Sequence, residues 1–267
     1  MALHFSKYQA AGNDFVILEA ADFEKVDAKK LCDRHFGIGA DGILVNYRPD
    51  DPQNDAKMVI VNSDGTTAEM CGNGLRCFAA YLTAERGLTS DPLRIETGNG
   101  TLDVTVEKRD GQLYVQASLG RSRVLFATQK IVIRERELAI TGISMGNPHV
   151  VVFIRSNDID THAMASRLRF DNPLGFEANA EIVSNIDPAG RNADVIVCER
   201  GVGFTLGCGT GGAAVMRSLF LNGFARRNET WRLRFPGGII EYRIAENDEI
   251  LIGGIPEKCF EGIYEPK

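Results

Sequence analysis

No Cys-x-x-Cys pair occurs among the six cysteines of this 267-residue chain. That removes the usual signature of a structural zinc site and of a thioredoxin-type redox centre. Six cysteines in this length are also too few for a disulfide scaffold. Positive charge is short as well: 30 Lys and Arg against 36 Asp and Glu leave a net charge of −6. Without a basic footprint, nucleic acid is not an expected partner. No apolar run approaches the roughly 18 residues a membrane-spanning helix needs, so no membrane partner is expected either. The opening Met-Ala-Leu-His-Phe-Ser-Lys has neither signal-peptide nor lipidation character, which makes the cytoplasm the expected location. Nothing suggests a pyridoxal or metal site, so the expected cofactor is none.

A nucleotide site is also excluded, by context. Gly37-Ile-Gly-Ala-Asp-Gly42 satisfies G-x-G-x-x-G literally. A helical segment precedes it and the strand-like Ile43–Tyr47 follows, whereas a dinucleotide fingerprint needs the strand first. The glycines read as a tight helix-to-strand connection.

What the chain has is an internal repeat. Val59-Ile-Val-Asn-Ser-Asp-Gly65 is restated by Val195-Ile-Val-Cys-Glu-Arg-Gly201, and Cys71-Gly-Asn-Gly74 by Cys208-Gly-Thr-Gly211. Gly12-Asn13-Asp14-Phe15-Val16 pairs likewise with Gly146-Asn147-Pro148-His149-Val150. Ordered pairs at one offset, half the chain, argue for duplication. Two domains follow: residues 1–118 carrying Cys71, with the tail 255–267 returning to it, and residues 119–254 carrying Cys208.

Each half reads as strands, one central helix, then strands. The first half has a hairpin at 4–9 and 15–19, a helix at 27–34 capped by Asp27, and the central helix ending before Gly87. Strands at 93–97, 100–108 and 112–118 follow. In the second half strands are expected at 131–135, 138–143, 149–154 and 193–198, with a helical stretch near 159–168. After the helix at 209–222 come strands at 230–235, 238–244 and 249–253. Only the helix after each cysteine is apolar on most sides, so each half is expected to be α/β, a sheet or barrel wrapped around a buried central helix.

A thiol at a helix start meets free backbone N–H groups and the positive end of the helix dipole, which favour a bound carboxylate or a thiolate. Two such thiols admit proton transfer to opposite faces of one carbon, a redox disulfide, or structural coincidence. Redox work would need an exposed, closely spaced pair, and there is none. Proton transfer suits the surroundings better. With no electron sink, a carbanion has to be stabilised through its carboxylate, and helix N-termini at Gly72-Asn73-Gly74 and Gly209-Thr210-Gly211 supply donors for it. The remaining Cys32, Cys77, Cys198 and Cys259 read as packing residues in apolar surroundings. His4 and His162 lie in no motif, and Asp33–Arg34 reads as structural.

Asn62–Cys77 and Glu199–Gly211 resemble the two cysteine signatures of the diaminopimelate epimerase family. The likeness extends to Gly12–Phe15, Asp33–Gly42, Gly146–His149 and Phe235-Pro-Gly-Gly238, in family order over most of the chain. It implies two pseudo-symmetric α/β domains, interconversion of LL- and meso-diaminopimelate for lysine and cell-wall peptide, and a homodimer. Carried over by position, Cys71 and Cys208 match the catalytic pair, and His149 and Glu199 the groups that set thiol protonation. Gly72, Asn73, Gly209 and Thr210 match the cradle for the α-carboxylate. Asn13, Asn62, Asn147, Asn179 and Arg200 match substrate contacts, Arg200 facing the distal carboxylate, for which a planar guanidinium is suited. Phe204, Gly207, Gly212-Ala213 and Gly253-Gly-Ile-Pro256 depart from the family pattern. Two alternatives stand beside this reading: a sister racemase acting on another amino acid, and a binding or redox protein on the same scaffold.

Overall fold

The computed structural model describes residues 2–133, 136–154, 160–170 and 175–266. The chain forms two compact units, Met1–Ala117 with Gly253–Lys267, and Ser118–Ile252. The first contains β1 (Leu3–Ala10), β2 (Asn13–Glu19), α1 (Ala20–Phe23), α2 (Ala28–Cys32), β3 (Gly42–Tyr47), β4 (Ala56–Asn62) and β5 (Thr67–Ala68). It continues through α3 (Gly72–Glu85), β6 (Leu93–Thr97) and β7 (Gly100–Arg109) into β8 (Gln112–Arg121). The second contains β9 (Arg123–Ile133), β10 (Arg136–Ser144), β11 (Pro148–Phe153), α4 (Thr161–Phe170), β12 (Asn179–Asp187), β13 (Asn192–Glu199) and β14 (Gly203–Phe204). There follow α5 (Gly209–Leu221), β15 (Trp231–Phe235), β16 (Gly238–Ile244) and β17 (Glu249–Gly254), and β18 (Glu257–Tyr264) pairs with β1 in the first unit.

In the first unit β1 and β2 are antiparallel, β2 and β3 parallel, β3 and β4 antiparallel, β4 and β6 parallel, β6 and β7 antiparallel. In the second the same sequence of pairings runs through β10, β11, β12, β13, β15 and β16. The edge strand beside β1 is β18 and the one beside β10 is β9, both antiparallel. Each parallel pair is joined by a helical crossover, as parallel strands require: α1 with α2 and then α3 in one unit, α4 and then α5 in the other.

Each central helix is enclosed. Gly72 to Leu82 of α3 are all buried, and so are Gly211 to Leu219 of α5. Leu75, Phe78 and Leu82 pack against Ile17, Leu44, Ile60 and Val115 in one core. Each such side chain contributes about 1.5–3 kcal/mol on leaving water, so packing rather than intrinsic propensity holds the helix. Gly87 and Gly223, at φ +69° and +76°, end the two helices in the left-handed conformation that glycine adopts without a Cβ clash. A second core on the other side of the first sheet gathers Phe5, Val16, Leu18, Leu31, Ile43 and Val45. Among the described residues no helix is long and apolar enough to cross a membrane.

Four readings change. The strand expected at 131–135 begins at Arg123, and its residues 134 and 135 lie outside the described residues. The helix near 159–168 is Thr161–Phe170, with residue 159 likewise outside them. β12 was not foreseen. Cys32, Cys77 and Cys198 are buried, but Cys259 is exposed on the edge strand β18, because that strand lies at the surface with none of its residues fully buried.

Candidate active site

Both signature cysteines occupy the same structural position. Cys71 is the N-cap of α3, with φ −143°, and its Sγ accepts from the Gly74 N–H at 3.4 Å. Cys208 is the N-cap of α5, with φ −125°, and its Sγ accepts from the Gly211 N–H at 3.3 Å. The helices then start with Leu75 N–H to Cys71 O at 2.8 Å and Gly212 N–H to Cys208 O at 2.9 Å. The N–H groups of Gly72 and Asn73, and those of Gly209 and Thr210, come before the first intrahelical bond. They therefore have no helical carbonyl to donate to, and each sits at the positive end of a buried helix. Such a helix start can hold a carboxylate.

Two amide side chains lie beside Cys71. Its Sγ–H reaches Asn13 Oδ1 at 3.6 Å, and Asn73 Nδ2 donates to the same oxygen at 3.4 Å. Asn13 is held from behind: its Nδ2 donates to Asp41 Oδ2 at 2.8 Å, and Arg34 bridges Asp41 Oδ1 at 2.8 Å and Asp14 Oδ1 at 2.7 Å. Lys7, buried, completes this group with Asp14 Oδ2 at 2.7 Å. Burial opposes charge on Asp14, but the Arg34 and Lys7 contacts outweigh it and hold the carboxyl at about 2. Arg76, also buried, donates to Asn73 Oδ1 at 2.5 Å and to the Gly72 carbonyl at 3.3 Å. Asn62, at the end of β4, is tied into its own turn by Thr66 Oγ1 at 3.0 Å.

Around Cys208 the neighbours are acids. Its Sγ–H points to Glu199 Oε2 at 3.3 Å, and Thr210 Oγ1 lies at 3.5 Å. Thr205 Oγ1 donates to the other oxygen of Glu199 at 2.5 Å. Burial, then the charges of Glu199 and Glu181, push the Cys208 thiol well above the usual thiol range. His149 is completely buried, with Nδ1 at 2.7 Å from Glu181 Oε1 and Nε2 at 3.0 Å from Asn147 Oδ1. Asn179 Oδ1 accepts the Arg200 backbone N–H at 2.8 Å, fixing the turn that follows Glu199. The Arg200 side chain makes no ion pair with the described residues, so the adjacent Glu199–Arg200 does not behave as a surface pair. Phe204 packs against His162 with ring centroids 4.9 Å apart and the planes inclined at 47°.

Within the first unit, Asn13, Cys71 and Asn73 thus form one hydrogen-bonded group and Asn62 stands apart from it. In the second, Glu199, Cys208 and Thr210 form one group, Asn147 and His149 another, and Asn179 with Arg200 a third. Sequence reasoning missed Glu181, Arg76 and Tyr242, whose hydroxyl donates to the Gly209 carbonyl at 3.1 Å. In the strand pairings Glu181 takes the place that Leu44 holds in the first unit, a charged residue where the other copy is apolar.

The diaminopimelate epimerase family model matches residues 5–125 and 141–256. The chain belongs to the diaminopimelate epimerase family. A diaminopimelate epimerase of Cyanothece sp. is 34% identical, over 98% of this chain and 100% of that protein. One from Acetivibrio thermocellus is 35% identical over 97% and 98% respectively. Among solved structures, a PhzF-family phenazine biosynthesis protein of Bacillus anthracis superposes with a TM-score of 0.74 at 16% identity, covering 100% of both chains. A hydroxyproline epimerase from Agrobacterium vitis does so with 0.72 at 14% identity, covering 98% and 91%. At such identities the likeness is one of fold. The chain therefore shares its scaffold with proteins of other names, and the side chains around each cysteine have to carry the difference.

Proposed function

We propose that this chain is a cofactor-independent epimerase that interconverts LL- and meso-diaminopimelate, a step toward lysine and cell-wall peptide. The observation that carries the reading is the matched placement of Cys71 and Cys208, each capping a buried helix whose first N–H groups lack helical partners. One sulfur, as thiolate, removes the α-proton. The helix starts at Gly72-Asn73 and Gly209-Thr210 hold the α-carboxylate and stabilise the charge that develops on it. The other sulfur, as thiol, delivers its proton from the opposite face, so the carbon inverts. The first sulfur ends as thiol and the second as thiolate, and the reverse reaction uses them in the opposite order. Glu199 stands where it can take the Cys208 proton; His149 acts through Asn147. Asn13, Asn62, Asn147 and Asn179 orient the substrate, and Arg200, with no ion-pair partner among the described residues, takes the distal carboxylate in a bidentate contact. On the family resemblance the enzyme works as a cytoplasmic homodimer on a small amino acid.

The test is chiral chromatography of LL-diaminopimelate, lysine, glutamate and histidine incubated with the purified, reduced protein. Inversion of diaminopimelate with little inversion of the others is expected. Faster racemisation of an amino acid lacking the second amino-acid centre would overturn the substrate assignment in favour of a sister racemase.

A further inference from the structure

The second unit buries an ionisable pair that the proposed proton transfer does not itself require. Glu181 and His149 have no exposed side-chain surface, and 2.7 Å separates Oε1 from Nδ1. The other carboxyl oxygen, Oε2, is buried without a hydrogen-bond partner among the described residues. The ring is thus the one group this carboxyl is built to meet. The fold itself does not need an acid here. In the parallel pairings Ile17 faces Leu44 in the first unit and Val151 faces Glu181 in the second, so Leu44 and Glu181 hold the same position. Phe15 and His149 correspond in the same way.

We propose that Glu181 is a positioning residue that fixes the His149 imidazole with Nε2–H directed at Asn147, and through it sets which end of the Asn147 amide is free. The argument rests on the epimerase reading for its substrate, and on geometry for the rest. One proton lies between Nδ1 and Oε1, and whichever atom carries it the pair is net neutral, as deep burial favours. Nε2 then keeps its own proton and donates to Asn147 Oδ1 at 3.0 Å. With Oδ1 occupied, Asn147 presents Nδ2, a donor, which is the end a substrate carboxylate needs. In the opposite tautomer Nε2 would be an acceptor, Asn147 would turn its Nδ2 to the ring, and an oxygen would face the anion. Glu181 also lies against the start of α5: a Cβ at Gly211 would stand 2.8 Å from Oε1, so the carboxyl is confined from that side too. Glu199 and Cys208 are the other ionisable groups that bear on it.

Two measurements decide this. The first is 15N NMR of the histidine ring in the resting wild-type protein, assigned with His149→Asn. Nε2 protonated is expected, and an unprotonated Nε2 overturns the proposal whether or not the protein turns over any amino acid. The second is steady-state kinetics of Glu181→Leu, which copies the first unit's residue, beside Glu181→Gln, whose amide N–H can donate to Nδ1 and keep the same tautomer. Outer hydrogen-bond partners of a functional imidazole are worth about 10- to 100-fold, so the Leu variant should lose that much in kcat/KM with KM raised. The Gln variant should recover most of it. A folded Leu variant with wild-type kcat and KM, or Gln and Leu variants equally impaired, overturns the proposal. Failure of the wild type to invert diaminopimelate would instead count against the epimerase reading, leaving the NMR result to decide on Glu181.

Discussion

Under the first turn of α3, a Cβ at Gly74 would stand 3.1 Å from Leu44 and 3.5 Å from Phe15. Under the first turn of α5, a Cβ at Gly211 would meet Glu181 Oε1 instead. Strand order, pairing sense, helix position and cysteine cap are the same in the two units; the layer beneath the cap is apolar in one and ionisable in the other. Buried acids and imidazoles cost desolvation and bring little net stability, so a duplicated scaffold that has an apolar solution in one copy shows what the other gives up. The difference teaches that the scaffold supplies the helix start and the sulfur, and the second unit adds groups able to move or hold a proton. Around Cys71 Asn13 can accept a hydrogen bond but takes no proton; around Cys208 Glu199 can take one.

The comparison breaks most completely if either sulfur is removed. Cys71→Ala and Cys208→Ala should each lower net epimerisation by about 10²- to 10⁴-fold, the usual worth of a positioned acid or base. Near-normal turnover in either, measured by chiral chromatography, would make one half dispensable. Next is a transplant in the opposite direction: Leu44→Glu puts an acid beneath Cys71 with Phe15, not histidine, opposite. A buried carboxyl with no partner should cost about 3–5 kcal/mol in urea unfolding, whereas an unchanged midpoint would mean the first unit tolerates the second's chemistry.

Arg200 sharpens the comparison, because the strand pairings, with Ile60 facing Leu44 as Val197 faces Glu181, set it against the uncharged Ser63. Arg200→Lys keeps the charge but loses the planar fork, and should reduce kcat/KM for diaminopimelate about 10- to 100-fold. A smaller effect than on lysine turnover would detach it from the distal carboxylate. The mildest effect concerns acid. Asp14 titrates at about 2 in the fold against 3.8 ordinarily, so its stabilisation is complete above pH 3.8 and disappears as pH falls toward 2. That is about 2 kcal/mol, and it should be missing from Asp14→Asn in unfolding curves between these values.

The duplication was legible because both copies keep the Cys-Gly-x-Gly helix start, whose backbone geometry demands those residues. The strands flanking α3 and α5 were legible from apolar alternation. β12 was not. Its Asn179-Ala-Glu-Ile-Val places a charged residue at an inward position, and what makes that position tolerable is His149, thirty-two residues away in sequence. The missed strand and the missed glutamate are one fact. Asn13 was legible through its match to Asn147, but the Lys7, Asp14, Arg34 and Asp41 cluster that holds it is built from four separate segments, which periodicity does not connect. Cys259 was misplaced for a related reason: a short apolar stretch at a chain end reads as core, while on an edge strand Phe260 and Ile263 are exposed as well.

The central claim is that two different sulfurs handle the departing and the arriving proton. The most direct measurement is the reaction of unlabelled LL-diaminopimelate in D₂O, sampled at early times, with deuterium located by NMR and mass spectrometry in substrate and product separately. If one sulfur takes the proton and the other delivers from the solvent-equilibrated pool, the meso product carries one deuterium at the inverted carbon and the remaining LL substrate carries none. Deuterium appearing in the LL substrate as fast as in the product would mean that a single group removes and returns the proton, and would contradict the two-cysteine account.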